Sequence, residues 1–268
     1  QANLLIAGDK KGALHSVYLS SLGKDNFTVS KHSTINYGAP FVSISVSPNG
    51  MMMGCGHYDG SVSLWDLRSG SPKLLSMLGK HEDAVFSSCF SPNGLNLITG
   101  DGIGILRCWD CQGQILKYET VAHEGAIMDC HFSPSGDRLI SVGDDSRIRI
   151  DKFESSKSSR SVRIIQGHYR PVTCLDISPS EEFLVSGSDD GTIRVWNYLS
   201  DLDLDQNKSD GHERWAVATS ISEDGKRLIS GSRDGDIILW DMQTKKIIRT
   251  FGPQPNLEWC DLSPDGNT

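Results

Sequence analysis

The sequence predicts an all-β fold of four-stranded antiparallel blades fanned about an axis, a β-propeller. Three observations predict it. A turn motif recurs in phase along the chain, apolar residues alternate between aspartate–glycine turns, and no long helical periodicity appears in the 268 residues.

The recurring turn is Ser47-Pro48-Asn49-Gly50, repeated as Ser91-Pro92-Asn93-Gly94, Ser133-Pro134-Ser135-Gly136 and Ser263-Pro264-Asp265-Gly266. Ser178-Pro179-Ser180-Glu181 and Ser222-Glu223-Asp224-Gly225 are looser copies. Successive serines stand 41 to 45 residues apart, which suits either paired helices or a four-stranded blade. Local pattern decides for strands. Val172–Ile177 is apolar-rich, the Ser-Pro turn follows, and Phe183–Ser186 forms a second short stretch. Asp189-Asp190-Gly191 then turns the chain into Thr192–Trp196, which alternates with the two-residue period of a half-exposed strand. Glycine fits such a hairpin because it accepts positive φ without steric cost. Each repeat thus supplies three strands and a variable fourth.

One domain over residues 1–268 follows, with a partial blade at 1–30. Repeats fall at about 31–74, 75–118, 119–162, 163–206 and 207–250, and a further blade starts at 251–268. The chain opens at a second strand, Leu4–Ala7, and stops after a first strand and its turn, Leu257–Gly266. The turn serine and the aspartate position are 12 residues apart in every internal repeat but 16 across the joined ends. That surplus favours seven blades with terminal strands missing from this chain over six closed by pairing the two ends.

Twenty-six basic against thirty-four acidic side chains give a net charge of −8, which argues against broad binding of nucleic acid or anionic membrane. With 37% hydrophobic and 22% charged residues, the chain can bury a core. No apolar run approaches the roughly 20 residues that span a bilayer, and none has signal-peptide form. Seven scattered cysteines lack the dense spacing of a secreted disulfide framework, so the expected compartment is intracellular, the cytoplasm ahead of the nucleus.

Gly167-His168, Ser186, Asp190-Gly191 and Trp196-Asn197 resemble the WD-repeat signature, as do Gly211-His212, Ser230, Asp234-Gly235 and Trp240-Asp241. Trp65-Asp66 and Trp109-Asp110 add two more pairs. The resemblance covers almost the whole chain. It implies a propeller, usually of seven blades, that serves as a rigid interaction platform, and a hydrogen-bonded His, Ser/Thr, Asp and Trp set inside each blade. The fifth and sixth repeats hold the complete sets His168, Ser186, Asp190, Trp196 and His212, Ser230, Asp234, Trp240. The third offers His81, Thr99 and Trp109 with Ile103 at the aspartate position. The fourth offers His123, Ser141 and Asp145 with Asp151 where tryptophan belongs. The second keeps Asp59 and Trp65 but has Tyr37 and Cys55 at the histidine and serine positions. In the first, Ala7, Lys11 and Val17 replace serine, aspartate and tryptophan. Each neutral bond of such a set contributes about 1 kcal/mol net, whereas burying the tryptophan contributes up to roughly 4–6 kcal/mol.

Histidine, serine and aspartate together could suggest a nucleophilic triad. Catalytic constellations are singular, however, and these residues recur with the blade, so the expected role is structural and the protein is not an enzyme. A propeller hydrolase with a central-channel site is the alternative of another class. No metal or cofactor is expected. Asp201, Asp203, Asp205, Asn207 and Ser209 have calcium-loop alternation, but Gln206 stands where glycine is required and His212 where a bidentate glutamate is needed. Cys108 and Cys111 have C-x-x-C spacing without a second pair, which reads as core thiols.

The leading function is a non-catalytic scaffold or adaptor for protein or peptide ligands of mixed charge, part of a larger chain or complex. Strand direction puts the Gly-His loops and the turns between second and third strands on one face. Glu82, Asp83, Tyr169, Arg170, Arg214 and Trp215 should ring its centre, with Tyr58, Asp189 and Arg233 outside them. Exposed aromatic and arginine side chains are the types that anchor interfaces. Ser155–Arg170, with Lys157, Arg160 and Arg163 and five early serines, reads as a solvated loop that phosphorylation could regulate. Trp65-Asp66-Leu67-Arg68 resembles the W-D-x-R box of propellers that deliver substrates to cullin-type ubiquitin ligases, an alternative function.

Overall fold

Alternation and tight turns produce a run of antiparallel hairpins. A computed structural model describes residues 3–9, 11–21, 27–69, 71–154, 160–197, 208–210, 212–255 and 257–262. Among these, twenty-three strands form six antiparallel sheets in which neighbours in sequence are neighbours in space. The first sheet has three strands, β1 (Asn3–Gly8), β2 (Ala13–Ser21) and β3 (Phe27–Asn36). The second holds β4 (Phe41–Val46), β5 (Met52–His57), β6 (Ser61–Asp66) and β7 (Lys73–Lys80). The third holds β8 (Val85–Phe90), β9 (Asn96–Asp101), β10 (Ile105–Asp110) and β11 (Ile115–Val121). The fourth comprises β12 (Ile127–Phe132), β13 (Arg138–Gly143), β14 (Arg147–Lys152) and β15 (Arg160–Gln166). The fifth comprises β16 (Val172–Ile177), β17 (Leu184–Ser188), β18 (Thr192–Trp196) and β19 (Lys208–Asp210). The sixth comprises β20 (Ala216–Ile221), β21 (Arg227–Ser232), β22 (Ile237–Asp241) and β23 (Lys246–Phe251). The strands gather into two compact units, the first carrying β1 to β10 and most of β11, the second β12 to β23.

The turn serines are structural hinges between first and second strands. Ser47 is buried; its Oγ donates to Asn49 Oδ1 at 2.7 Å and accepts the Met52 amide at 2.9 Å. Ser222 makes the same pair of bonds, to Asp224 at 2.6 Å and from the Arg227 amide at 3.0 Å, although no proline follows it. Hydroxyl, not ring, defines this turn. In the opposite hairpins, Gly191 has φ +81° and its Cβ position lies 3.0 Å from the His212 carbonyl oxygen, so glycine is the residue that sits there without strain. The fourth sheet puts Ser146 at the corresponding place with φ 62°.

Tryptophans seam sheets together within each unit. Trp65 packs with Leu14 of the first sheet, and Trp109 with Val62, Leu64 and Leu78 of the second. Trp196 packs with Ile140, Ile148 and Ile150 of the fourth sheet, and Trp240 with Val185 and Ile193 of the fifth. Glycine clears the way for two of these rings. A Cβ on Gly79 would lie 2.7 Å from Trp109, and one on Gly167 would lie 2.6 Å from Trp196.

Two expectations need correction. Arg160–Gln166 is not a loop but the outer strand β15, laddered on β14; charged side chains suit an edge strand as well as a loop. Residues 155–159 lie outside the described residues. Leu257–Leu262, expected as a strand, has no ladder partner among the described residues and is irregular, although Leu257 and Cys260 pack close to Gly231.

Candidate functional site

In the third, fourth and fifth sheets a relay of hydrogen bonds ties the histidine to the turn aspartate. In the fifth, Trp196 Nε1–H donates to Ser186 Oγ at 2.8 Å, and Ser186 donates to His168 Nε2 at 2.7 Å. His168 Nδ1–H then donates to Asp190 at 3.0 Å. Asp190 also accepts the Thr192 hydroxyl at 2.6 Å and the Tyr169 amide at 3.1 Å, so it fixes both its own turn and the Gly-His loop. Burial opposes ionisation of Asp190, but the bonds from His168 and Thr192 outweigh it and hold the carboxyl below the usual range. The sixth sheet repeats the first two links, Trp240 to Ser230 and Ser230 to His212 at 2.8 Å each, but Asp234 stands 3.5 Å from His212 Nδ1 without hydrogen-bond geometry. In the fourth, His123 bridges Ser141 and Asp145 at 2.9 Å each. Its Asp151, buried at the tryptophan position, is gripped by Arg149 at 2.8 Å.

The other repeats depart from expectation. The third is complete, because Asp101 and not position 103 supplies the carboxylate: His81 Nδ1–H donates to Asp101 at 2.9 Å and Thr99 bonds His81 Nε2 at 2.7 Å. Asp101 also caps the turn through the Ile103 and Ile105 amides, while Ile103 is exposed. In the second, Asp59 binds Ser61 instead of an imidazole. The relay there runs from Trp65 through Ser63 to His57, at 2.8 and 2.7 Å, and His57 stacks on Tyr37 with centroids 4.5 Å apart. The first sheet retains Asp9, which caps the Lys11 and Ala13 amides and lies 3.4 Å from His15.

The second unit gathers six of the nine predicted contact residues in one place. Tyr169, Arg170, Asp189, Arg214, Trp215 and Arg233 line a cleft of about 710 Å³, together with Asp190, Gly191 and Glu213. Two loops and two turns meet there because the aspartate relays bind Gly-His loop to hairpin: the Glu213 amide donates to Asp234 at 2.9 Å, and the Arg233 amide to the Trp215 carbonyl at 2.9 Å. The Arg233 guanidinium lies over the Trp215 ring at 5.2 Å, and the buried Arg194 sits 5.7 Å from the Tyr169 ring. Tyr169 is 85% exposed and Trp215 42%, so both present ring surface to solvent. Burial pushes the Asp189 carboxyl up, against the opposing pull of Arg233 and Arg170. Glu213 was not anticipated, although its place between His212 and Arg214 marks it. Tyr58, Glu82 and Asp83 belong to the first unit. There Tyr58 is 67% exposed, Glu82 is exposed, and Asp83 caps the Ala84 amide at 2.7 Å.

Cys108 and Cys111 are buried, and burial pushes their thiols up to about 11 and about 12. Such thiols are poor metal ligands and poor nucleophiles. No cluster of three metal-ligating side chains occurs among the described residues; Asp201, Asp203, Asp205 and Asn207 lie outside them. No helix of the described residues is long and apolar enough to cross a membrane.

Comparison with known proteins follows the same repeats. The family model described as WD domain, G-beta repeat matches residues 23–66, 72–110, 114–150, 159–197 and 206–241. Actin-interacting protein 1 of Drosophila melanogaster is 32% identical over 129 residues, 47% of this chain and 21% of its own length. A probable coatomer subunit beta' of Schizosaccharomyces pombe is 27% identical over 131 residues, covering 48% of this chain and 16% of that protein. Autophagy-related protein 16 of Arabidopsis thaliana is 27% identical over 143 residues, 52% of this chain and 27% of its own length. The chain therefore spans about a fifth of the length of these relatives.

Proposed function

As the chain belongs to the WD-repeat family, we propose that it is a non-catalytic scaffold that binds a protein or peptide through the cleft of its second unit. One observation carries this reading: Tyr169, Arg170, Asp189, Arg214, Trp215 and Arg233, picked out by residue type and strand direction, line a single cleft. Rigid relays hold its walls, so a partner meets preorganised side chains and loses less entropy on binding. The histidines recur from sheet to sheet, each occupied by its own serine or threonine, which is structural work and not catalysis. One relative is named for interaction with actin and another as a coatomer subunit, which supports a role in assemblies. Arg68, the last residue of the W-D-x-R box, is folded back on Asp66 at 2.6 Å, so the ubiquitin-ligase alternative gains no support from it. A reducing compartment belongs to the same proposal, supported by seven free cysteines.

Affinity capture from the native cell tests the reading, with the wild-type chain set against Trp215→Ala and Arg170→Glu. Specific partners should drop out with the cleft variants and persist with Tyr58→Ala. An unchanged partner set in both cleft variants rejects this site.

A further inference from the structure

We infer that the cleft of the second unit receives an acidic side chain, an aspartate or glutamate carried on an extended peptide. The inference rests on the scaffold reading and names the chemistry of its ligand. On paper the lining charges cancel, with Arg170, Arg214 and Arg233 against Asp189, Asp190 and Glu213. Their availability differs. Asp190 is spent on His168, Thr192 and the Tyr169 amide. Asp189 is half-buried, where a carboxylate is poorly solvated.

The three arginines are exposed, and among the described residues no carboxylate lies within ion-pair distance of any of their guanidinium groups. Elsewhere in the molecule, Arg68, Arg107, Arg147 and Arg149 each hold a carboxylate. Three guanidinium groups lining one cleft without an ion-pair partner among the described residues, against one exposed carboxylate there, Glu213, leave planar donor forks that match an incoming carboxylate. Trp215, shielded on one side by Arg233, and Tyr169 offer ring surface to an apolar neighbour of that acid.

Nucleic acid fits less well. A net charge of −8 repels a long polyanion, whereas a single carboxylate inside the cleft feels chiefly the nearby guanidinium groups, since charges beyond about 8 Å are screened at physiological salt.

The test uses the whole chain and a fluorescein-labelled peptide in which glutamates and leucines are spaced by glycine and serine. Counterparts carry glutamine, lysine or phosphoserine in place of glutamate, and an oligouridylate serves as the RNA probe. Fluorescence anisotropy should show the glutamate peptide bound, with affinity falling as salt rises. The glutamine peptide, and the variants Arg170→Gln and Arg214→Gln, should each weaken binding by about tenfold. Glutamine or lysine peptides that bind as tightly, and still depend on Trp215, overturn the acidic ligand but leave the scaffold reading standing. Binding indifferent to Arg170→Gln, Arg214→Gln and Trp215→Ala overturns both. No binding of the glutamate peptide, or clearly tighter binding of phosphoserine peptide or oligouridylate, overturns the inference alone. Equal melting curves for all variants confirm that they fold.

Discussion

The carboxylate of Asp101 accepts the Nδ1–H of His81 at 2.9 Å, with both side chains wholly buried. In the fourth and fifth sheets the same bond comes from Asp145 and Asp190, which stand two places further along their hairpins. Two backbone routes therefore lead to one imidazole. The third sheet thereby keeps a continuous relay, Trp109 to Thr99 to His81 to Asp101.

Asp101→Ala strands a buried histidine and frees the Ile103 and Ile105 amides. It should cost about 3 kcal/mol of stability. Ile103→Ala, at an exposed side chain, should change stability by less than about 1 kcal/mol. Urea denaturation of both variants decides; comparable losses would show that position 103 matters after all.

Ser146 holds φ at 62°, a conformation that a side chain disfavours. Ser146→Gly should stabilise the chain by about 1 kcal/mol and raise its melting temperature by about 2–4 °C. A lower melting temperature would mean that the serine side chain contributes a compensating contact.

Stability should peak near neutral pH. Burial holds His57 and His212 below the ordinary imidazole value of 6.5, so the unfolded chain takes up their protons first and stability falls as pH drops below that value. Asp101 is buried and Asp145, Asp190 and Asp234 are half-buried, yet their hydrogen bonds and nearby histidines hold their carboxyls below the usual range. Their contribution is present above about pH 4 and lost as pH falls through the depressed values. His131 behaves oppositely. Burial opposes its charge, but Asp129 and Asp176 raise it to about 9, so its contribution is complete below 6.5 and lost as pH rises through 9. Urea midpoints across the range should trace both limbs, and His131→Gln should flatten the alkaline one. An alkaline limb unchanged by that substitution would falsify the assignment.

The architecture was legible because the turn serine acts through its own hydroxyl, which a sequence displays directly. Ser222 without proline was recognised for that reason, and its bonds match those of Ser47. Relay members were less legible. A fixed offset of 12 residues from the turn serine points at Ile103, and the frame of the other blades points at Lys11, whereas hydrogen bonding needs only that a carboxylate reach a ring from either the strand end or the turn; Asp101 and Asp9 use the strand end. Ser63 and His57 escaped notice for the same reason, since one hydroxyl can serve Trp65 from its own strand as well as from the next. The six cleft residues share one lining because strand direction puts the Gly-His loops and these turns on the same side of their sheets. Their unequal freedom to meet a partner was not legible, for it depends on which carboxylates are already engaged.

The segments 159–197 and 206–241 each begin on the outer strand of one sheet and end on the third strand of the next. The repeat matched in the sequence and the sheet that folds are thus out of step by one strand. Losing one such segment would strip an edge from one sheet and the centre from its neighbour, and the outer strand of the following segment could heal the first.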